Sequence, residues 1–154
     1  MTKGARATSI KLGIEAEYYD PRNSFLPWVL RSRRGIPITL SLVYKLVAER
    51  IGLVVHGLNA PGHFLVETRA GDDAMIVDPF HGGAMLSGDE ARALARQAGG
   101  REDVSLETLM QPATHRQWIA RILANLLHVF SMQNHVDHIG AMSELYDLLK
   151  GVHP

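Results

Sequence analysis

The chain contains no cysteine in 154 residues. That absence excludes disulfides, thiolate metal ligands and every mechanism that begins with a thiol nucleophile. Charge of one sign is not in excess either, since 16 basic residues balance 16 acidic ones. Without a basic surplus, neither nucleic acid nor an anionic membrane is expected as a main partner. Long apolar runs are missing too. The opening "MTKGARATSIKLGIEAEYYD" lacks the apolar core of a signal peptide, and no stretch approaches bilayer-spanning length. A soluble, cytoplasmic protein is the resulting expectation. Internal repeats and low-complexity linkers are absent, so a single domain over residues 1–154 is expected.

Apolar residues make up 46% of the chain, enough for a real core. In "YYDPRNSFLPWVLRSRRG", Asp20-Pro21 signals a turn, and Asn23 or Ser24 is placed to cap a helix through Phe25, Leu26, Val29 and Leu30. Arg31, Arg33 and Arg34 suit the negative end of that helix, and Gly35 can supply a positive φ there. "GIPITLSLVYKLVAERIG" then predicts a helix from Pro37 to about Arg50. Apolar residues cover most of its circumference and leave one polar line: Pro37, Ser41, Lys45 and Glu49. It reads as the buried central helix, with a thin edge reaching a cleft or solvent.

The period changes after Gly52. "GLVVHGLNA", "HFLVETR" and "AMIVDPF" predict three antiparallel strands. Helices return with Ser87 and Glu90 at capping-box spacing, then "SLETLMQP", then a second capping box at Thr114 and Gln117. "HVDHIGAMSELYDLLKG" predicts a last amphipathic helix with Met142, Leu145 and Leu149 inward. The sum is an α+β fold, with a core over about residues 17–84 and a helical part over about 87–150.

The hairpin carries the chemistry. With Ala70-Gly71 as a two-residue loop, Arg69 pairs with Asp72 and His63 falls opposite Asp78, on one face of the sheet. A three-residue loop would shift this register by one. Pro79 cannot continue a central ladder, so Asp78 is expected at a strand end.

Buried helix, strand, His-bearing strand, turn and a strand ending in Asp-Pro: this order resembles the core of the transglutaminase-like superfamily. That family shares with papain-like enzymes a Cys at a helix N-terminus and a His and Asp on the sheet. "YYDPRNSFL", "RRGIPITLSLVY", "PGHFLVE", "IVDPFHGG" and "RILANL" are similar to one branch in particular. It is typified by a bacterial virulence-gene regulator and a eukaryotic F-box protein. The resemblance covers roughly residues 17–130. It implies a papain/transglutaminase-like core, His63 in the catalytic His place and Asp78 in the orienting Asp place. The Gly-x-Cys that opens the buried helix in catalytic members is matched by Gly35-Ile36-Pro37. Pro37 therefore stands where the Cys would be, and it offers neither a nucleophile nor an N–H for an oxyanion.

Ser41 is the weak substitute nucleophile. It lies one turn further along the polar line, roughly 5 to 6 Å from the Cys position, whereas a serine needs its base within about 3 Å. Asn23 and His81 are candidate cleft-lining residues beside Pro37. His63, Asp78 and His81 could form a two-His, one-carboxylate metal site, but no metal or cofactor is expected. His135 and His138 read as surface residues at a helix start. The arginine cluster at 31–34 reads as a solvated helix end with no phosphate loop nearby.

The leading functional expectation is a non-catalytic module that binds a peptide or protein partner at the His63–Asp78 cleft. One alternative is a hydrolase or acyl-transfer enzyme using Ser41 or a water activated by His63, which for Ser41 needs hydrogen-bond contact with His63. The other is a scaffold, which buries the pair and exposes an apolar patch elsewhere.

Overall fold

Asp20, extended at φ −75° and ψ 120°, accepts the Arg22 N–H at 2.9 Å and so starts a 3-10 turn over Pro21–Ser24. The computed structural model describes residues 18–71, 73–99 and 104–151. The opening segment, on which the leader expectation was based, lies outside them, as does Asp72. Helix α1 (Leu26–Ser32) follows with Phe25 as its N-cap and no side-chain cap. Neither Asn23 nor Ser24 caps it, because Asp20 has capped the turn before and drawn Asn23 inside. Asn23 is buried there, and its amide donates to the Tyr18 carbonyl at 3.4 Å. The positive φ that closes α1 belongs to Arg33 at +57°, not to Gly35. Gly35 meets a packing demand instead: a Cβ there would sit 2.8 Å from Thr39 Oγ1.

Helix α2 (Pro37–Arg50) begins at Pro37 as expected. Pro37 to Ser41 are buried without interruption. Beyond them the helix emerges, with Leu46 45% and Val47 58% exposed. The expected burial of all but a thin polar edge thus holds for its first half only. The helix packs on β1, β2, α1 and α5 through one side, and its other side continues as open apolar surface through Ile51, Leu53 and Val54. The polar line runs from the cleft at Pro37 to exposed Glu49, with Lys45 Nζ donating to the Val55 carbonyl at 2.8 Å.

Four antiparallel strands form one sheet in the order β1 (Val55–Leu58), β2 (Leu65–Ala70), β3 (Asp73–Asp78) and β4 (Ala84–Leu86). β4 was not anticipated; at three residues and largely exposed, it has no apolar alternation to reveal it. Val66 pairs with Val77 and Ala70 with Asp73. The turn therefore lies one residue later than expected and the register differs by two. A slip of two keeps every side chain on its expected face.

Each sheet face meets helices. Val55, Val66 and Val77 pack with Ala48 of α2. Leu58, Leu65 and Ile76 pack with Ala91 and Ala95 of α3 (Gly88–Gly99) and Leu109 of α4 (Leu106–Leu109). A third cluster joins Ile36, Ile38 and Phe64 to Trp118 of α5 (His115–Met132). Gly57 is obligatory beneath that indole, since a Cβ there would lie 2.2 Å from Trp118 Cζ2. Both capping boxes form: Ser87 with Glu90, and Thr114 with Gln117. Helix α6 (Val136–Lys150) rests chiefly on α5 and buries no residue fully; Leu145, expected inward, is 48% exposed. One supporting helix cannot cover a stripe as wide as α6 presents. No helix among the described residues is long and apolar enough to cross a membrane.

Candidate functional site

Asp78 closes β3, and the chain then wraps around its carboxylate. Oδ1 accepts the backbone N–H groups of Phe80 at 2.9 Å and His81 at 3.2 Å. Oδ2 lies 2.9 Å from His63 Nε2 and 2.6 Å from His81 Nδ1. Four donors thus converge on a side chain that is 1% exposed. Burial is the largest influence on this carboxyl and by itself would raise its pKa. The hydrogen bonds and charge of His63 and His81 together outweigh it and hold the group below its ordinary value. In the neutral tautomer of His63, an ionised Asp78 places the proton on Nε2 and leaves Nδ1 as that ring's acceptor.

His63 lies two residues before β2, off the regular ladder. Gly62 sets its position with φ +66°, a conformation other residues adopt only under strain. A Cβ at Gly62 would also come within 2.2 Å of the Ala98 carbonyl at the end of α3. The next residue anchors the other side. The Phe64 ring lies 4.4 Å from Trp118 between centroids, and its carbonyl accepts from Ser41 Oγ at 3.3 Å.

A cavity of about 300 Å³ opens before His63. Pro37 and Ile38 form the α2 wall, the loop 62–64 another, and Tyr18 and Tyr19 a third; Arg121, Asn125 and His128 of α5 complete it. The residues singled out from sequence are distributed unevenly around this space. His63 and Pro37 share the cavity, and Asp78 holds His63 from behind. His81 is bound to Asp78 and stacked 5.7 Å from the His63 ring, yet it is outside the cavity wall and 43% exposed. Asn23 is buried beneath Tyr18 and is not in the wall. Ser41 is wholly enclosed, with its hydroxyl on Phe64 and not on His63. Its role is to steady the loop that carries His63. Ser41→Ala is accordingly expected to lower stability by about 0.5–1.5 kcal/mol, measured by urea denaturation, while the NMR resonances of the His63 ring stay in place.

Arg121, Asn125 and His128 were not anticipated. Their spacing of four and then three is the available signal, since it places them on one helix face. The segment "RILANL" carries the first two of them. The ligand atoms of His63, Asp78 and His81 all lie within 4.8 Å of one another, so these residues also offer the donor set of a two-His, one-carboxylate metal site. His135 and His138 pack at the surface with Phe130, apart from this group.

The site is thus a His held by an Asp at the end of a strand, beside the N-terminus of a buried helix, in an α+β fold with one antiparallel sheet. The family model of the transglutaminase-like superfamily matches residues 12–124, and the chain belongs to that superfamily. It is 41% identical over 128 residues to a UPF0162 protein of Xylella fastidiosa, covering 81% of this chain and 46% of that protein. A UPF0162 protein of Pseudomonas aeruginosa is 32% identical over 111 residues, covering 72% and 40% respectively. Human F-box only protein 21 is 35% identical over 68 residues, which is 44% of this chain and 11% of that protein. The chain spans less than half the length of these relatives. No solved structure matches it.

Proposed function

We propose that this transglutaminase-like domain is a non-catalytic binding module, whose cleft receives a segment of a peptide or protein partner. One observation carries the reading: the residue facing the cleft from the helix N-terminus, beside His63, is Pro37. The chain has no thiol, no serine or threonine among the described residues lines the cavity, and Ser41 is committed to the Phe64 carbonyl. The His63–Asp78 pair then serves as a fixed, polar wall that offers Nδ1 to a donor on the bound segment.

A panel of amide, ester and thioester substrates tests this. Wild type and His63→Ala should hydrolyse all of them at the same background rate. Turnover that falls at least tenfold in His63→Ala would establish a general base acting on water and overturn the binding-only reading.

A second reading has its own support. Leu46, Val47, Ile51, Leu53 and Val54 form exposed apolar surface on the far half of α2 and the approach to β1, while His63 and Asp78 are 6% and 1% exposed. That combination suits a scaffold that docks through α2. Peptide binding that leaves the resonances around His63 unmoved and shifts those of Val47 and Ile51 would favour it.

A further inference from the structure

We infer that the cleft is built to hold a carboxylate, and that Arg121 receives it. This rests on the cleft being the binding site and names the chemistry of what binds. Arg121 projects from α5 into the cavity wall and is half-buried. Its Nη1 donates to Asn59 Oδ1 at 3.0 Å, a neutral partner. Among the described residues no ion pair to Arg121 exists, and none of those lining the cavity is Asp or Glu. Asp78, which holds His63 from behind, has both oxygens committed to its own four donors.

A guanidinium carries five N–H donors. With one directed to Asn59, the others remain for a ligand, and the Asn59 bond fixes the direction in which they point. A partly desolvated charge with no counter-ion among the described residues favours an incoming anion. Asn125 and His128 stand one and two turns further along the same face of α5, and His63 lies on another wall. All three can hydrogen-bond to the rest of a peptide. One permanent cation matches a monoanion, and its planar fork fits a carboxylate in two parallel bonds. The cavity is at the small end for ligand sites, which suits an acidic side chain or a chain terminus.

The test uses the full chain labelled with nitrogen-15 and four peptides: acetylated trialanine with a free carboxylate, its C-terminal amide, and amide-capped peptides with a central glutamate or glutamine. Titrations are followed at the Arg121 Nε–H and at the amides of Gly62 to Phe64. A free carboxylate should bind roughly tenfold or more tightly than its amide, as expected of a charge-assisted pair. The two acids, compared with each other, tell a chain terminus from a side chain. Arg121→Gln should erase the preference, Arg121→Lys should keep part of it, and added salt should weaken wild-type binding. Should Arg121→Gln fail to fold, the lysine variant and the salt series decide. Equal affinity for acid and amide within the cleft overturns the carboxylate inference and leaves the cleft reading standing. Peptides that never perturb these resonances overturn both.

Discussion

Asp78→Ala should destabilise the chain by about 3 kcal/mol, a large share of what a domain of this size has in reserve. The carboxylate is nearly inaccessible, and its removal strands donors that water reaches poorly: the Phe80 and His81 N–H groups and the Nε2–H of His63. Each unsatisfied buried donor costs about 1–3 kcal/mol. Half-exposed His81 can turn its ring to solvent and adds least. In urea the midpoint should fall by roughly 1–2 M with little change in slope. Asp78→Asn should lose less, because its amide oxygen can still accept from the two backbone groups. A loss for Asp78→Ala no larger than that for Ser41→Ala would mean that the carboxylate does not organise this loop.

The same residue gives the chain a pH dependence of definite sign. Its carboxyl is held below the ordinary value by His63 and His81, against burial. A group whose folded pKa is depressed contributes stability that is present above its unfolded pKa, about 3.9 for Asp. That contribution is lost as pH falls through the lower, folded value. Between pH 7 and 5 Asp78 is ionised in both states and adds no slope. Below about pH 4 the wild type should lose stability more steeply than Asp78→Asn. Parallel curves for the two proteins would remove Asp78 as the cause.

How far the residues announced this arrangement depends on the scale of the interaction. The helix beginning at Pro37, both capping boxes and the strand ending in Asp-Pro follow from short-range rules, and each forms where its signal lies. Long-range choices were legible only as parities. Placing the turn one residue too early moved the register by two, and His63 and Asp78 met nonetheless because the face was preserved. Competition between neighbouring caps was not legible: Asp20, Asn23 and Ser24 all qualify, and the earliest prevails because Pro21 already fixes the first turn's φ. Exposure was misjudged where it depends on what lies across from a helix, as on the second half of α2 and on α6. The α5 wall of the cleft depends on the same kind of long-range contact. Arg121 is some 60 residues from Asn59, and no local pattern records that they touch.

The strongest expected change comes from restoring what the helix lacks. Pro37→Cys would put a thiol at the first position of α2, at the positive end of the helix dipole and on the wall of the cavity that His63 lines. Both neighbours favour a thiolate. An ordinary cysteine has a pKa of about 8.5, and such surroundings lower it to below about 7.5. At pH 7 the thiolate fraction should therefore rise from about 3 per cent to about a quarter or more, roughly tenfold. The chain has no other cysteine, so alkylation by iodoacetamide reports this one alone. The rate should plateau above a midpoint near or below neutrality. A second replacement, His63→Ala, should move that midpoint upward by abolishing the thiolate–imidazolium pair. Asp78→Asn should move it in the same direction, by less, because the imidazole remains but loses its orienting anion. Loss of proline at the first helical position costs little, since a cysteine N–H there needs no intrahelical partner. A midpoint at the ordinary thiol value, indifferent to His63→Ala, would show that the imidazole does not address the helix start, and the cleft would lose its claim to papain-like geometry. A depressed midpoint governed by His63 would mean the opposite: base and orienting acid still stand in working order around a position from which only the nucleophile is missing.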